Sequence, residues 1–150
     1  LARRHDRRVS GRSRLTPDRN RRIRHVLEPR HESFFTPALI RLLRRHGVAL
    51  AFSDARDWPY VEEITAGFVY LRLHGPGEPY ASPYDGRALD RWAARIRSWH
   101  RADEPADARR ITTLGPPARQ GRDVYVYFDN DMHGHAPRDA SALRERLART

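Results

Sequence analysis

The run Phe68-Val-Tyr-Leu-Arg-Leu-His74-Gly75 constrains this chain more than any other, because it reads as a strand with two unlike faces. Side chains alternate along a strand. Val69, Leu71 and Leu73 therefore form an aliphatic face, while Phe68, Tyr70, Arg72 and His74 share the opposite one. Val124-Tyr-Val-Tyr-Phe-Asp-Asn-Asp131 echoes the design, a β-rich run that stops in polar side chains. An aliphatic outer face beside an inner face ending in Arg and His suits a β/α barrel, where active sites sit at the C-terminal strand ends.

The rest of the chain alternates in the same way. Residues 23–28 read as a strand ending in Glu28-Pro-Arg-His31. Thr36 followed by Pro37 marks a helix start, Gly47 its end, and Leu39, Leu42 and Leu43 its apolar face. Residues 48–52 form a second strand running into Ser53 and Asp54, and residues 57–67 an irregular connection. After the Gly/Pro loop at 75–84, Asp85 caps a helix in which Leu89, Trp92, Ala93, Ile96 and Trp99 recur at helical spacing. Residues 101–120 have weak periodicity and read as an insertion, and Asp139 is placed as the cap of a last helix with Leu143 and Leu147 inward. The expected fold is α/β, four β/α units with parallel strands, a partial TIM-like barrel. Four strands leave two open sheet edges and an uncovered inner face, so self-association is expected if the barrel is incomplete.

Charge divides the chain unevenly. The formal net charge is +10, and all 29 basic residues are Arg. Residues 1–24 hold ten Arg against Asp6 and Asp18, a balance of +8, which leaves +2 for the other 126 residues. Residues 1–22 are thus expected to be a basic, disordered arm, and nucleic acid is its natural partner by counterion release. The complete absence of Lys fits codon bias better than selection for phosphate binding, where Lys also serves. No Cys is present, so thiolate and disulfide chemistry are excluded and a reducing compartment, the cytoplasm by default, fits. No apolar run approaches the roughly 20 residues of a membrane span, so no membrane partner is expected.

Several motifs together resemble the YecE-like family, domain of unknown function 72. They are Glu28-Pro-Arg-His31 with Ser33-Phe34-Phe35, Leu42-Leu-Arg-Arg-His-Gly-Val-Ala49, the run 68–75, the Trp92-Ala93 helix, and the run 124–131 with Gly134, Ala136 and Ala140. The resemblance implies a β/α barrel of about 250 residues, of which residues 23–150 match the C-terminal half. The chain departs from the family pattern where it has Pro29, Glu32 and Phe34 for Phe, Pro and Trp, and Asp129 and Asp139 for Asn. With Leu1 in place of Met and the family's N-terminal half absent, a truncated and inactive gene product is the expectation that competes with function.

The candidate site is drawn from the strand ends. Glu28 and Arg30 share a face and can pair, with His31 beside them as acid or base. Arg72 and His74 point inward at the same end, where a cation suits an anionic ligand. Glu28, His31 and His74 are therefore the candidate catalytic residues. Arg30, Asp54, Arg72, Tyr84, Asn130 and Asp131 are the candidate ligand contacts, Asn130 and Asp131 with support from the resemblance. Asp129-Asn-Asp131-Met-His133-Gly-His135 has metal-ligating residue types, but neighbouring positions at a strand end point in different directions. No metal ligand is assigned, and no cofactor is implied. The function expected is a pocket for an anionic small molecule, phosphate- or nucleotide-bearing, with hydrolase chemistry as the reaction class.

Overall fold

The structure, a computed structural model, describes residues 18–149. Four strands and three α-helices alternate: β1 (Val26–Leu27), α1 (Pro37–His46), β2 (Ala49–Asp54), β3 (Phe68–Leu73), α2 (Gly86–His100), β4 (Asp123–Phe128) and α3 (His135–Ala148). Each helix end has a local cause. Thr36 accepts a hydrogen bond from the Leu39 N–H at 3.2 Å, Pro37 occupies the first turn, and Gly47 stops α1 at φ 62°. Asp85 accepts from the Ala88 N–H at 2.7 Å and starts α2. The apolar face of α1 differs from expectation: Ile40 and Leu43 are buried while Leu42 points outward, 51 % exposed. Residues 40 and 43 lie one turn apart on one stripe, and residue 42 falls off it.

The strands form one parallel sheet in sequence order, with Ala51 opposite Tyr70 and Tyr70 opposite Tyr125. Val69, Leu71 and Leu73 bury themselves against Leu89, Trp92, Ala93, Ile96 and Trp99 of α2 and Leu143 of α3. Each such side chain contributes roughly 1.5–3 kcal/mol on leaving water. The opposite face is aromatic and open. Tyr70 stacks on Tyr127 with ring centroids 4.9 Å apart, Phe68 meets Tyr125 edge-on at 5.8 Å, and Tyr127 is 48 % exposed.

No helix spans the crossover from β2 to β3. Residues 61–66 have no regular structure and are largely buried, and the loop after α2 folds back to cover them. Glu62 N–H donates to the Arg109 carbonyl at 2.8 Å. The fully buried Glu63 accepts from the Ile111 and Thr112 N–H groups, the Thr112 hydroxyl and Arg44. The basic arm falls outside the described residues up to residue 17, and residues 18–25 are exposed without regular structure. Among the described residues no helix is long and apolar enough to cross a membrane.

Candidate functional site

Parallel pairing puts the C-terminal ends of all four strands at one edge of the sheet, and a charged cluster forms there. Arg72, near the end of β3, grips Asp129 with two bonds, Nε to Oδ2 at 3.0 Å and Nη2 to Oδ1 at 2.9 Å. Its Nη1 donates to Glu28 Oε2 at 2.7 Å. Ser53 donates to the other Glu28 oxygen at 2.7 Å, and Arg30 reaches Glu28 at 3.3 Å. One guanidinium thus ties the residue after β1 to the residue after β4 across the sheet. Burial works to raise the Glu28 carboxyl, but the Ser53 hydroxyl together with Arg72 and Arg30 outweighs it and holds the group below its ordinary value. The Arg72 guanidinium is raised, chiefly by its bond to Asp129.

His74 lies between the two carboxylates, its Nε2 3.6 Å from Glu28 and its Nδ1 3.7 Å from Asp129. The ring is fully buried, and neither nitrogen has a hydrogen-bond partner. Burial lowers its pKa, against the pull of Asp129 and Glu28, so the imidazole is held neutral. Two aromatic side chains flank it edge-on, Trp58 at 4.6 Å and Tyr80 at 5.3 Å. Arg30 lies over the outer ring of Trp58, 4.2 Å from its centroid. Tyr80 takes a left-handed backbone, φ 68°, pinned by its N–H on the His74 carbonyl and its own carbonyl on the Met132 N–H. A neutral imidazole with two open nitrogens can accept a proton at one and donate at the other. Flanking carboxylates can then stabilise the imidazolium that forms.

The remaining candidates fall into neighbouring settings. Asp54 receives the Tyr84 hydroxyl at 2.8 Å, and Tyr84 accepts from the Gly75 N–H at 3.0 Å. Burial raises both groups above their ordinary values, Asp54 despite the opposing Tyr84 bond and His74. Asn130 is buried, donating to the Ser82 carbonyl at 2.9 Å and to Asp139 at 2.7 Å. Asp139 also accepts from the Tyr84 N–H at 3.0 Å. These bonds fasten the loop after β3 to α3, so Asn130 holds the loop from behind. The expectation that Asp139 caps the last helix is corrected: α3 starts at His135 after Gly134, and Asp139 sits a turn further in, placed by loop donors. Asp131 is exposed in a turn. His31 caps the short 3-10 helix Glu32–Phe34, its Nδ1 2.8 Å from the Ser33 hydroxyl, and stands on the surface, lining a shallow hollow with Arg30 and Trp58.

Glu28, Arg30, Arg72 and His74 are therefore brought together, Asp54 and Tyr84 lie beside them, and His31, Asn130 and Asp131 do not join. Sequence reasoning passed over Asp129, Ser53 and Trp58. Asp129 carried a signal, since it shares the inward face of β4 with Tyr125 and Tyr127. Trp58 carried none, because it lies in an irregular crossover.

Among solved structures the chain resembles a DUF72 family protein of Thermotoga maritima, with TM-score 0.66 and 21 % identity over 83 % of this chain and 46 % of that one. It also resembles a DUF72 family protein of Enterococcus faecalis, with TM-score 0.63 and 14 % identity over 85 % of this chain and 48 % of that one. The chain spans about half the length of these relatives. No curated protein matches it. The family model described as "Protein of unknown function DUF72" matches residues 5–150. The chain belongs to the DUF72 family.

Proposed function

We propose that the C-terminal strand ends bind a small ligand with an anionic, phosphate-type group and transfer a proton on it, with hydrolysis as the reaction class. The observation that carries this reading is His74, a buried neutral imidazole with two unpartnered nitrogens between two carboxylates. Such a group is costly to fold around and suits an acid–base role near neutral pH. His74 is the proton-transfer residue, reached when the Tyr80 ring swings aside. Glu28 and Asp129 orient and stabilise its charged form. Arg72, engaged by both carboxylates, serves as the clamp of the cluster, and the anion falls to the half-exposed Arg30 with the two N–H positions that Arg72 keeps open. Asp54 and Tyr84 set the neighbouring wall.

The four parallel strands, in sequence order with an open aromatic face, suit one half of a β/α barrel, with the remainder of a longer chain or a second copy over Tyr125 and Tyr127. A monodisperse monomer by light scattering, unfolding in one sharp transition, would overturn that half-barrel reading. The test of the site uses p-nitrophenyl phosphate as a general phosphoester. His74→Gln should lower turnover at least a hundredfold while leaving inorganic phosphate binding within about twofold, and Arg30→Ala should weaken that binding several-fold. Equal turnover in His74→Gln and the unaltered chain would sink the assignment.

A further inference from the structure

The missing helix between β2 and β3 leaves a gap in the outer layer, and the gap is a second cavity of about 420 Å³. That volume is ordinary for a small-molecule site. Neither Glu28, Arg72 nor His74 lines it; Trp58, Asp54 and Tyr84 form the partition between it and their cluster. Its floor is preorganised: the nearly fully buried Glu62 accepts the Tyr60 hydroxyl at 2.7 Å and an Arg95 N–H at 2.8 Å. Arg95 continues to Asp107 at 2.7 Å, so this guanidinium is neutralised.

The rim is different. Arg56, Arg91 and Arg109 come from three separate segments, the end of β2, helix α2 and the loop after it. Among the described residues none of the three has a carboxylate within ion-pair distance, although surface carboxylates such as Asp90 and Asp107 pair with other arginines. Arg109 lies 5.9 Å from the centre of the Tyr60 ring, and Tyr60 meets Trp92 edge-on at 6.3 Å. Asp54 and Glu62 act on Arg91 and Arg109 only at longer range. Aromatic walls, a satisfied polar floor and three guanidiniums without a contacting carboxylate at one concave opening thus suit a ligand with a flat apolar part and a negative end. Guanidinium groups match phosphate and carboxylate oxygens in planar, bidentate fashion.

We propose that this cavity is a binding site for a planar aromatic ligand carrying a phosphate or carboxylate, its ring against Trp58, Tyr60 and Trp92 and its anion on Arg56, Arg91 and Arg109. The site adjoins the proton-transfer cluster through Trp58, Asp54 and Tyr84, but its ligand chemistry does not need that reading to hold. Adenosine 5′-monophosphate, adenosine, benzoate and inorganic phosphate serve as probes of ring plus anion, ring alone, a smaller ring with carboxylate, and anion alone. Titration by calorimetry, with tryptophan fluorescence reporting Trp58 and Trp92, should show the monophosphate binding at least tenfold tighter than adenosine or phosphate. Arg56→Ala with Arg91→Ala should weaken it tenfold or more. Both positions are exposed, and an unchanged circular dichroism spectrum confirms folding. Asp129→Asn, a change in the first cluster that touches none of the cavity lining, should leave this binding within twofold, which separates failure here from failure of the first site. Absence of binding by both aromatic anions at millimolar concentration overturns the proposal. So does a loss in Asp129→Asn as large as that in the double variant.

Discussion

Two carboxylate clusters stand about the same sheet, one fully buried at Glu63 and one half-buried at Glu28 and Asp129, and they are wired to opposite ends. Glu63, under the returning loop, has every oxygen occupied: two backbone N–H groups, the Thr112 hydroxyl and the Arg44 guanidinium, which itself also holds the Gly115 carbonyl at 2.9 Å. Glu28 and Asp129 are equally well bonded through Arg72, yet they enclose an imidazole that bonds to nothing. The first cluster leaves no carboxylate oxygen free, its one unpartnered atom being Arg44 Nε at the edge, and it holds a helixless crossover in place. The second is closed on its rim and open at its centre. Residual hydrogen-bonding capacity, more than charge or burial, separates a scaffold from a candidate site.

The comparison can be broken most forcefully at Glu63. Glu63→Ala should destabilise the chain by about 3–5 kcal/mol, because it strands Arg44 and two N–H groups; urea unfolding measures this, and a loss below about 1 kcal/mol would show the loop to be dispensable. Arg72→Ala comes next, at about 1–3 kcal/mol, since the clamp is a quarter exposed and water can screen the two carboxylates it leaves facing each other. If Arg72→Ala proved the costlier change in the same urea series, the closed and open labels would have to be exchanged. The smallest effect is a pH dependence. Burial holds His74 below its ordinary 6.5, so as pH falls through that value the unfolded chain takes up a proton that the folded chain resists. The unfolded state then binds more protons, and stability drops with falling pH. The contribution is present above about pH 6.5 and is lost as pH falls toward the lower folded value. Chemical unfolding at a series of pH values should show a shallower drop in His74→Gln; an identical slope in both proteins would mean that His74 is not held neutral.

The strands were legible because Val, Leu, Tyr and Phe alternate along 68–73 and 124–128, with one face of the first wholly aliphatic and that of the second Val124, Val126 and Phe128, a pattern that suits a covered parallel sheet. The ends of α1 and α2 were legible through Thr36-Pro37, Gly47 and Asp85, where one side chain decides the backbone. Leu42 and Asp139 misled for a common reason. Residue type pointed to a role, but three-dimensional neighbours took precedence: the stripe through Ile40 and Leu43 in one case, the donors Tyr84 and Asn130 in the other. Within the site, Arg72 and His74 followed from strand parity. What parity could not supply is who meets them across the sheet, and so Asp129's two-pronged hold on Arg72 went unread. Its carboxylate stands where the family pattern has Asn, and only a carboxylate can close that bidentate pair.

Tyr80 carries a consequence for kinetics. A non-glycine residue in the left-handed region lies about 1–2 kcal/mol above its relaxed conformation, and here that residue is one of the two rings standing between His74 and water. That cost is met by two main-chain bonds, the Tyr80 N–H on the His74 carbonyl and the Tyr80 carbonyl on the Met132 N–H, so a glycine there would keep the loop path while removing both the strain and the ring. Tyr80→Gly should therefore open the imidazole to solvent at little cost in stability, which the rate at which the His74 ring carbon exchanges deuterium would report.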